Sequence, residues 1–479
     1  MENINIEELV NQIIRGTEVT TSIKKEEVPS KKQTFHQPVV TDAICIFDTV
    51  DEAVQAAKIA QKKYFHSSLS RRKKVIEDLR NKLLPIVEEI ATRAYEETQM
   101  GSVKDKIQKN TIAITQTPGV EDLNVVTQVI TGDCGMTLYE LSPYGVIGAI
   151  APSTNPTETL ISNAIGMLAA GNAVYFSPHP GAKETSIWLI ELMNKIVKEA
   201  SGIDHLVVTI NKPSIQAAQQ MMEHKDINLL VVTGGPGVVR QAMMTGKKVL
   251  GAGAGNPPTI VDETANIEKA GADIVDGASF DNNIPCIAEK NIIAVESIAD
   301  FLIFQMEKAG AVYIKELSQI RKLEQLLVID GKPNKAYVGK PASMILRDAG
   351  IHFQGEPRLV VVEGNPKMTF TVEEMLMPVV PIMRTPDFET ALELALEVEQ
   401  GLQHTATMHS QNVTRLNKAA RELQTSIFVK NGPSFAGIGF RGEGPTTFTI
   451  ATPTGEGTTT ARHFARTRRC VLTDGFSIK

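Results

Sequence analysis

Several residue classes are scarce in this 479-residue chain, and their scarcity narrows what it can be. It has only four cysteines, which lie far apart and form no CxxC pair, so neither a disulfide framework nor a zinc site is expected. No apolar run is long enough to cross a bilayer, and the N-terminus lacks the basic start and apolar stretch of a secretory signal. These absences predict a cytoplasmic protein with no membrane contact and no metal site.

Neither sign of charge is in large excess. The 49 basic and 55 acidic residues give a net charge of −6, which makes nucleic acid or an anionic membrane an unfavourable main partner. Hydrophobic residues make up 42% of the chain, enough for a large core. The length predicts about two or three domains.

The first 38 residues have the pattern of a docking segment. In residues 1–16 the apolar side chains recur at helical spacing and fall on one face. Residues 17–38 are polar and predict a flexible linker. A short amphipathic helix on a polar tether is typical of a docking peptide, and the alternative is that it packs on its own body or on a sister subunit.

Short apolar strands alternate with helices from about residue 144 onward. This alternation predicts an α/β fold whose parallel sheet is covered on both faces. A glycine-rich run at 251–258 marks a candidate domain boundary, and a second alternating block covers 259–430. The segment 468–472 is predicted to pair as a strand with 127–142. The first block has predicted strands at 146–150, 173–176, 206–209 and 229–232, and predicted helices at 157–170, 183–200 and 213–224.

Cys286 is the cysteine whose local sequence favours chemistry. A polar, turn-forming run leads into it, and a helix start is predicted to follow. A cysteine at a helix N-terminus has its nucleophilic thiolate favoured by the backbone dipole. Cys45, Cys134 and Cys470 lie in strand-like or turn contexts that indicate structural roles, and the local sequence leaves a structural role open for Cys286 as well.

Two further features follow apolar strands. Asn155 lies at a strand-to-helix turn, where its amide could donate to a developing oxyanion or could simply cap the helix. Thr233-Gly234-Gly235 joins a strand to a helix start whose N–H groups could hold a pyrophosphate. The glycine spacing is not GxGxxG, so a turn without a ligand stays an alternative.

These three features occur in the order found in the aldehyde dehydrogenase superfamily. From about residue 40 to its end, the chain resembles the CoA-acylating branch, the aldehyde dehydrogenases of ethanolamine and propanediol utilisation. The stretches that carry the resemblance are 151–159, 279–290 and 455–476.

The resemblance implies a domain arrangement for the whole chain. It consists of a Rossmann-type dinucleotide- and CoA-binding domain at 39–126 and 143–252, a catalytic domain at 253–432, and a small β oligomerisation element with the C-terminal segment at 127–142 and 433–479. A homo-oligomer, either a dimer or a tetramer, is expected to form through that element.

The resemblance also assigns roles to individual residues. Cys286 matches the nucleophile, and Asn155 matches the asparagine that stabilises the oxyanion together with the N–H of Cys286. Glu374 matches the glutamate that holds the nicotinamide ribose. The implied cofactor-binding residues are Thr154, Ser177, His179, Pro180, Thr233, Gly234, Gly235, Gly253 and Glu374.

The chain departs from hydrolytic members of the superfamily at two places. The glutamate that activates water in those members is missing from the run 252–256, so a cysteine thioester would survive until a thiol such as CoA attacks it. Ser177 and Pro180 replace a lysine and a glutamate that grip the adenosine ribose. Loss of that glutamate removes repulsion toward the ribose phosphate of CoA or NADP. We therefore expect one adenosine pocket to serve the dinucleotide and CoA in turn. His179 or Lys183 is expected to lie near the phosphate.

The sequence therefore predicts a CoA-acylating aldehyde dehydrogenase. It would convert a short-chain aldehyde (acetaldehyde or propionaldehyde), NAD and CoA into acyl-CoA and NADH, with NADP as an alternative cofactor. The alternatives are a hydrolytic aldehyde dehydrogenase, a phosphate-linked reductase of the same fold such as a glutamyl phosphate reductase, and a binding protein that has kept the fold. Residues 1–16 resemble the peptides that direct such enzymes to the shell or cargo of a bacterial microcompartment.

Overall fold

The structure, a computed structural model, describes residues 45–479. The predicted docking helix at 1–16 and the linker at 17–38 lie outside the described residues. Among the helices at 45–479, none combines the length and the apolar character needed to span a membrane.

Strands and helices alternate along most of the described chain. The strands are β1 Ile46–Phe47, β2 Gln128–Gly132, β3 Gly135–Pro143, β4 Val146–Ala151, β5 Ala173–Pro178, β6 Val207–Ile210, β7 Ile227–Thr233, β8 Lys248–Ala252, β9 Pro258–Val261, β10 Asn291–Val295, β11 Ala311–Ile314, β12 Val328–Ile329, β13 Lys332–Pro333, β14 Leu359–Glu363, β15 Val379–Thr385, β16 Thr405–His409, β17 Ile427–Lys430, β18 Ile450–Ala451, β19 Gly457–Thr458 and β20 Ala465–Thr473. The helices are α1 Val50–Phe65, α2 Leu69–Leu83, α3 Val87–Thr98, α4 Val103–Gln116, α5 Pro156–Ala169, α6 Lys183–Ser201, α7 Ile215–Glu223, α8 Pro236–Met243, α9 Ile267–Ser279, α10 Glu296–Lys308, α11 Leu317–Leu327, α12 Ala342–Asp348, α13 Thr369–Val372, α14 Phe388–Glu399 and α15 Val413–Leu423.

The first sheet is parallel and has six strands in the order β1-β6-β5-β4-β7-β8. Its central strands are apolar on both faces because helices cover both sides. Helix α5 is buried along its whole length, and Asn155 just before it is buried as well. The predicted strands and helices of this block are confirmed to within about two residues at most ends.

The second sheet is also parallel, with the order β11-β14-β15-β10-β9-β16-β17. Successive side chains of β10 point to opposite faces, so Ile292 and Ala294 join one buried cluster while Ile293 joins another. Helices α9 and α10 pack on the first of these faces, and α14 and α15 on the other. The predicted α/β class is confirmed by the two sheets.

A third sheet is antiparallel and contains β2, β3 and β20. The C-terminal strand pairs with β3 along its full length, with Cys470 opposite Leu138. The predicted pairing of 468–472 with 127–142 is therefore confirmed. The domain boundaries given above stay a prediction.

Candidate active site

The candidate cofactor residues collect at one edge of the first sheet. Strands β5, β4, β7 and β8 are neighbours and parallel, so the turns that follow them meet at their carboxyl ends. This edge is where open α/β sheets bind ligands. It carries Thr154 and Asn155 after β4, Ser177 within the end of β5, His179 and Pro180 after β5, Thr233 at the end of β7, Gly234 and Gly235 after it, and Gly253 after β8.

The candidate nucleophile and its neighbours instead precede strands of the second sheet. Gly255 precedes β9, Cys286 precedes β10, Glu374 precedes β15, and His404 precedes β16. These four strands are adjacent in the order β15-β10-β9-β16, so the residues before them lie along one amino edge. The site therefore lies between the carboxyl edge of one sheet and the amino edge of the other.

The loop that carries Cys286 does not lead into a helix. Cys286 lies in a turn that is followed by an irregular segment and then by β10, so the predicted helix start after it is wrong. Asp281, Asn282 and Asn283 instead take positive φ values of 48°, 54° and 65°. Asparagine and aspartate tolerate this conformation better than most residues, which explains the polar run before the cysteine.

Side-chain hydrogen bonds stabilise this unusual backbone. The Asn282 amide donates to the carbonyls of Gly101 at 3.0 Å and Gly339 at 2.9 Å. The ammonium of Lys290 donates to both the carbonyl and the Oδ1 of Asn283, each at 2.7 Å. Burial lowers the pKa of Lys290 to about 8. The loop is thus held by polar groups that have exchanged water for protein partners.

Cys286 is only partly accessible to solvent. Burial first, and then the carboxylate of Glu374, raise the pKa of its thiol to about 12. The absence of a helix start is consistent with this value, because no helix N-terminus favours the thiolate. At neutral pH the resting side chain is a thiol, so its proton has to leave as the sulfur attacks.

Gly255 brings three site residues together. Its N–H donates to Glu374 Oε1 at 3.4 Å. A Cβ atom at Gly255 would lie 2.9 Å from both the Cys286 carbonyl oxygen and the His404 Cγ, so only glycine fits between them. Burial raises the pKa of Glu374, and its Oε1 is occupied by the Gly255 N–H. The run 252–256 itself contains no carboxylate.

His404 is a site residue that the sequence analysis missed. Its ring is 1% exposed, its Nδ1 lies 2.9 Å from Thr405 Oγ1, and its Nε2 has no hydrogen-bond partner in the described part of the chain. Burial, followed by the charge of Lys290, lowers the pKa of His404 to about 4. An imidazole that stays neutral and keeps one ring nitrogen free can accept a proton.

Asn155 does not act as a helix cap. It precedes α5, but its side chain makes no capping hydrogen bond, which contradicts the simpler interpretation of this residue. Its Oδ1 accepts a hydrogen bond of 2.7 Å from Lys109 Nζ, and its Nδ2 donates to Thr154 Oγ1 at 3.3 Å. The amide is therefore fixed for a role other than capping.

The glycine turn after β7 leaves open space beside it. Thr233 Oγ1 lies 2.8 Å from Thr449 Oγ1, and the Gly234 N–H donates to the Ala252 carbonyl at 3.3 Å. No atom lies within 4 Å of where a Cβ of Gly234 or Gly235 would be. An open helix start at the carboxyl edge fits a pyrophosphate.

The turn after β5 has a polar outer rim. Ser177 is buried, whereas His179 and Pro180 are exposed, and His179 Nδ1 accepts from the Gly181 N–H at 3.0 Å. Loss of hydration, and then the positive charge of Lys335, lower the pKa of His179. Lys335 is thus a second cation near this rim that the sequence analysis missed, while Lys183 pairs with Glu184 at 3.4 Å.

Three phenylalanine rings form an apolar wall close to Cys286. The ring centroids of Phe280 and Phe435 are 5.2 Å apart, and Phe440 lies 4.9 Å from Phe435. Phe280 and Phe435 belong to one buried cluster, and Cys286 and Phe440 pack against it. The wall could not be read from the sequence because its parts come from distant segments.

Comparison with known proteins gives a consistent result. The matching family model is that of the aldehyde dehydrogenase family, and it covers residues 22–315 and 351–444. A propanal dehydrogenase (CoA-propanoylating) of Salmonella typhimurium is 54% identical over 459 residues, which is 96% of this chain and 98% of that protein.

Solved structures of similar proteins share the fold. A propionaldehyde dehydrogenase of Rhodopseudomonas palustris, crystallised with bound CoA and an acylated cysteine, has a TM-score of 0.89 at 48% identity and covers 92% of this chain and 100% of that one. A cysteine-to-alanine variant of the propionaldehyde dehydrogenase from the Clostridium phytofermentans fucose utilisation bacterial microcompartment has a TM-score of 0.88 at 44% identity, and covers 91% of this chain and 100% of that one. A histidine-to-alanine variant of the same enzyme has also been solved.

Proposed function

Since this chain belongs to the aldehyde dehydrogenase family, we propose that it is a CoA-acylating aldehyde dehydrogenase for short-chain aldehydes. The family and the fold expected from the sequence are confirmed. The reaction converts aldehyde, NAD and CoA into acyl-CoA and NADH. The observation that carries the proposal is the pairing of Cys286 and His404 across Gly255, with the His404 Nε2 free of hydrogen bonds among the described residues. The run 252–256, which activates water in hydrolytic members, has no carboxylate.

The first half of the reaction acylates Cys286. Its sulfur loses the thiol proton to solvent and adds to the aldehyde carbon, and the carbonyl oxygen becomes an oxyanion. Asn155 Nδ2 and the backbone N–H of Cys286 are the proposed donors to that oxygen, and losing one such donor typically costs about 100- to 1,000-fold in rate. When bound, the nicotinamide accepts the hydride from the aldehyde carbon, which leaves a thioester on Cys286.

The cofactor residues of this chain suit that step. The open turn at Gly234 and Gly235 is proposed to receive the pyrophosphate, and Glu374 the nicotinamide ribose. Ser177, His179 and Pro180 line the proposed adenosine pocket, which we expect to serve CoA as well. The charges of Lys335 and of nearby Lys183 favour a ribose phosphate there.

The second half transfers the acyl group to CoA. His404 is the proposed base: its Nε2 takes the proton of the CoA thiol, the thiolate attacks the thioester carbon, and the Cys286 sulfur leaves. The solved alanine variants of the Clostridium enzyme support this assignment, because their cysteine and histidine are separated by the same number of residues as Cys286 and His404. Water competes poorly, because the run 252–256 has no carboxylate to activate it and a thiol is a better nucleophile than water toward a thioester.

The deciding experiment is a stopped-flow assay of NADH formation with and without CoA. Without CoA we expect a burst of about one NADH per active site followed by a stall, and with CoA continuous turnover. Continued turnover without CoA would identify a hydrolytic enzyme instead. Cys286→Ala should abolish both the burst and the turnover. Full CoA-dependent activity in this variant would rule out the thioester on Cys286.

We infer that the third sheet forms a subunit interface in a dimer or tetramer. Val129, Ile130, Val471 and Leu472 are between 45% and 59% exposed on the two faces of this sheet, and further copies of the chain would cover them. Sedimentation of an Ile130→Lys variant tests this: a smaller species is expected, and an unchanged mass would contradict it.

We also propose that the enzyme resides in a bacterial microcompartment and docks there through residues 1–16. The amphipathic pattern of that segment and the microcompartment origin of the Clostridium relative support the idea. Confinement would retain a volatile, reactive aldehyde. Deleting residues 1–20 should prevent encapsulation and leave the turnover of the purified enzyme unchanged; encapsulation of the truncated chain would contradict the proposal.

A further inference from the structure

Four charged side chains are fully buried together beside the nucleophile loop: Lys106, Lys109, Glu158 and Asp281. Lys109 Nζ lies 2.6 Å from Asp281 Oδ2 and 3.0 Å from Glu158 Oε1, and Lys106 Nζ lies 3.1 Å from Asp281 Oδ2. Burial lowers the pKa of Lys109, but the carboxylates of Asp281 and Glu158 raise it more, so the ammonium stays charged. Two positive and two negative groups thus compensate one another inside the protein.

Lys109 also contacts the proposed oxyanion donor. An ammonium can only donate hydrogen bonds, so the atom of Asn155 that lies 2.7 Å from Nζ has to be the amide oxygen. This contact turns the NH₂ group away from Lys109. One N–H reaches Thr154 Oγ1 at 3.3 Å, and the second has no acceptor among residues 45–479, so it is available to a ligand.

The positive charge has a second effect on the amide. A cation at the oxygen draws electron density from the amide nitrogen, and a hydrogen bond at one end of the group strengthens the donor at the other in a low-dielectric interior. The effect is greatest where water is excluded, and Lys109 and Glu158 are both 0% exposed.

The same ammonium reaches the loop of the nucleophile. Asp281 begins the left-handed segment before Cys286, and its carboxylate accepts from both lysines and from the Ser102 N–H at 2.7 Å. Asn155 and the Cys286 loop come from opposite edges of the site. Lys109 therefore joins the two parts whose relative position decides whether the oxyanion meets its donors.

We propose that Lys109 is a positioning residue for acylation, which orients and polarises the Asn155 amide and ties it to the nucleophile loop through Asp281. It touches neither the aldehyde nor the cofactor. The inference rests on the proposed function, because it assumes that Asn155 donates to the oxyanion.

Lys106 provides a matched control. It is equally buried, lies on the same helix α4, and contacts the same Asp281 oxygen, but it makes no hydrogen bond to Asn155. Lys106→Met and Lys109→Met therefore remove the same charge from the same cluster. Lys109 also pairs with Glu158 at 3.0 Å, so a difference between the two variants reports on its contacts with Asn155 and Glu158. The Asn155→Ala background then isolates the contact with Asn155.

The test is a double-mutant cycle on the acylation burst without CoA. We expect Asn155→Ala to slow the burst about 100- to 1,000-fold, in the range for one oxyanion donor. Lys109→Met should slow it at least about tenfold with an unchanged KM for NAD, and Lys106→Met by less than about threefold. In the Asn155→Ala background, Lys109→Met should add less than about threefold, because its effect passes through the missing amide.

The outcomes separate the two hypotheses. If Lys109→Met slows the burst by the same factor with and without Asn155, or if Lys106→Met is equally slow, the positioning role is wrong while the proposed function stands. If Asn155→Ala leaves the burst unchanged, the oxyanion assignment fails first. The rate of Cys286 alkylation by iodoacetamide, measured at several pH values, is an independent readout of thiol reactivity. If Lys109→Met acted only on the reactivity of the Cys286 thiol, it would change the alkylation and acylation rates in parallel. That result would overturn the proposal.

Discussion

Replacement of His404 by asparagine should separate the two halves of the reaction. The variant keeps a polar side chain of smaller size next to Gly255 but has no nitrogen that can take a proton. We expect the NADH burst without CoA to keep its amplitude and to change in rate by less than about threefold. CoA-dependent turnover should fall by about 100- to 10,000-fold, the usual contribution of a general base.

The pH dependence of deacylation in the wild-type enzyme follows from the burial of the His404 ring. With a pKa of about 4, about 99% of the His404 rings are neutral at pH 6, compared with about a quarter for a histidine of ordinary pKa near 6.5. The shift corresponds to about 3 kcal/mol in favour of the neutral ring. Deacylation should therefore stay fast down to about pH 5 and decline only below it.

A two-step stopped-flow experiment measures both quantities. The enzyme is first acylated with aldehyde and NAD, and is then mixed with CoA between pH 4.5 and 8 while acyl-CoA is quantified. His409→Asn is the matched control, because His409 is also buried at the end of β16, with a pKa lowered to about 3 by burial, but lies at the far end of the strand from Cys286. An acid limb near pH 6.5, or loss of the burst in His404→Asn, would refute the assignment.

Four further results are expected. Glu374→Gln should raise the KM for NAD about tenfold with a smaller change in the KM for CoA, because one ribose ligand is weakened; equal changes in both constants would contradict its role. Pro180→Glu should raise the KM for CoA in steady-state assays, since a carboxylate would repel the ribose phosphate, and an unchanged KM would exclude a shared adenosine pocket. Phe280→Ala should improve kcat/KM for a C4 aldehyde relative to propionaldehyde by about 10-fold, as expected for added apolar space, which a substrate series would detect. Burial depresses the folded-state pKa of His404 and His409 below 6.5, so below that pH the unfolded chain takes up protons that the folded chain does not, and stability is lost as the pH falls. The free energy of unfolding from urea titrations should therefore be lower at pH 5 than at pH 7 by about 2 kcal/mol for each histidine. No difference would show that these rings are hydrated.

The sequence predicted the first sheet well because its strands are uniformly apolar and its helices carry ordinary turn signals. It also selected Cys286 and Asn155, since both lie in local stretches that resemble a known family. The helix expected after Cys286 is wrong because only four residues separate Cys286 from β10, which pairs with β9.

The two proposed residues that the sequence did not predict, His404 and Lys109, are brought to the site by long-range contacts. His404 immediately precedes an ordinary buried strand, and nothing in its neighbours along the chain distinguishes it from His409. Lys109 lies within a helix whose sequence pattern does not indicate that the ammonium is buried. Their roles depend on which strand edges and helices meet, and this is a property of the fold rather than of any local pattern.

The compensated charges of Lys106, Lys109, Glu158 and Asp281 have a consequence for anyone who diversifies this enzyme. A library that changes one position at a time will leave an unmatched ion in the interior at each of the four sites, and such variants should be depleted whatever they do for selectivity. Useful changes in this layer will be reached only when oppositely charged partners are exchanged together. Saturation of the phenylalanine wall carries no such penalty, so it is the better place to begin when a different aldehyde is wanted.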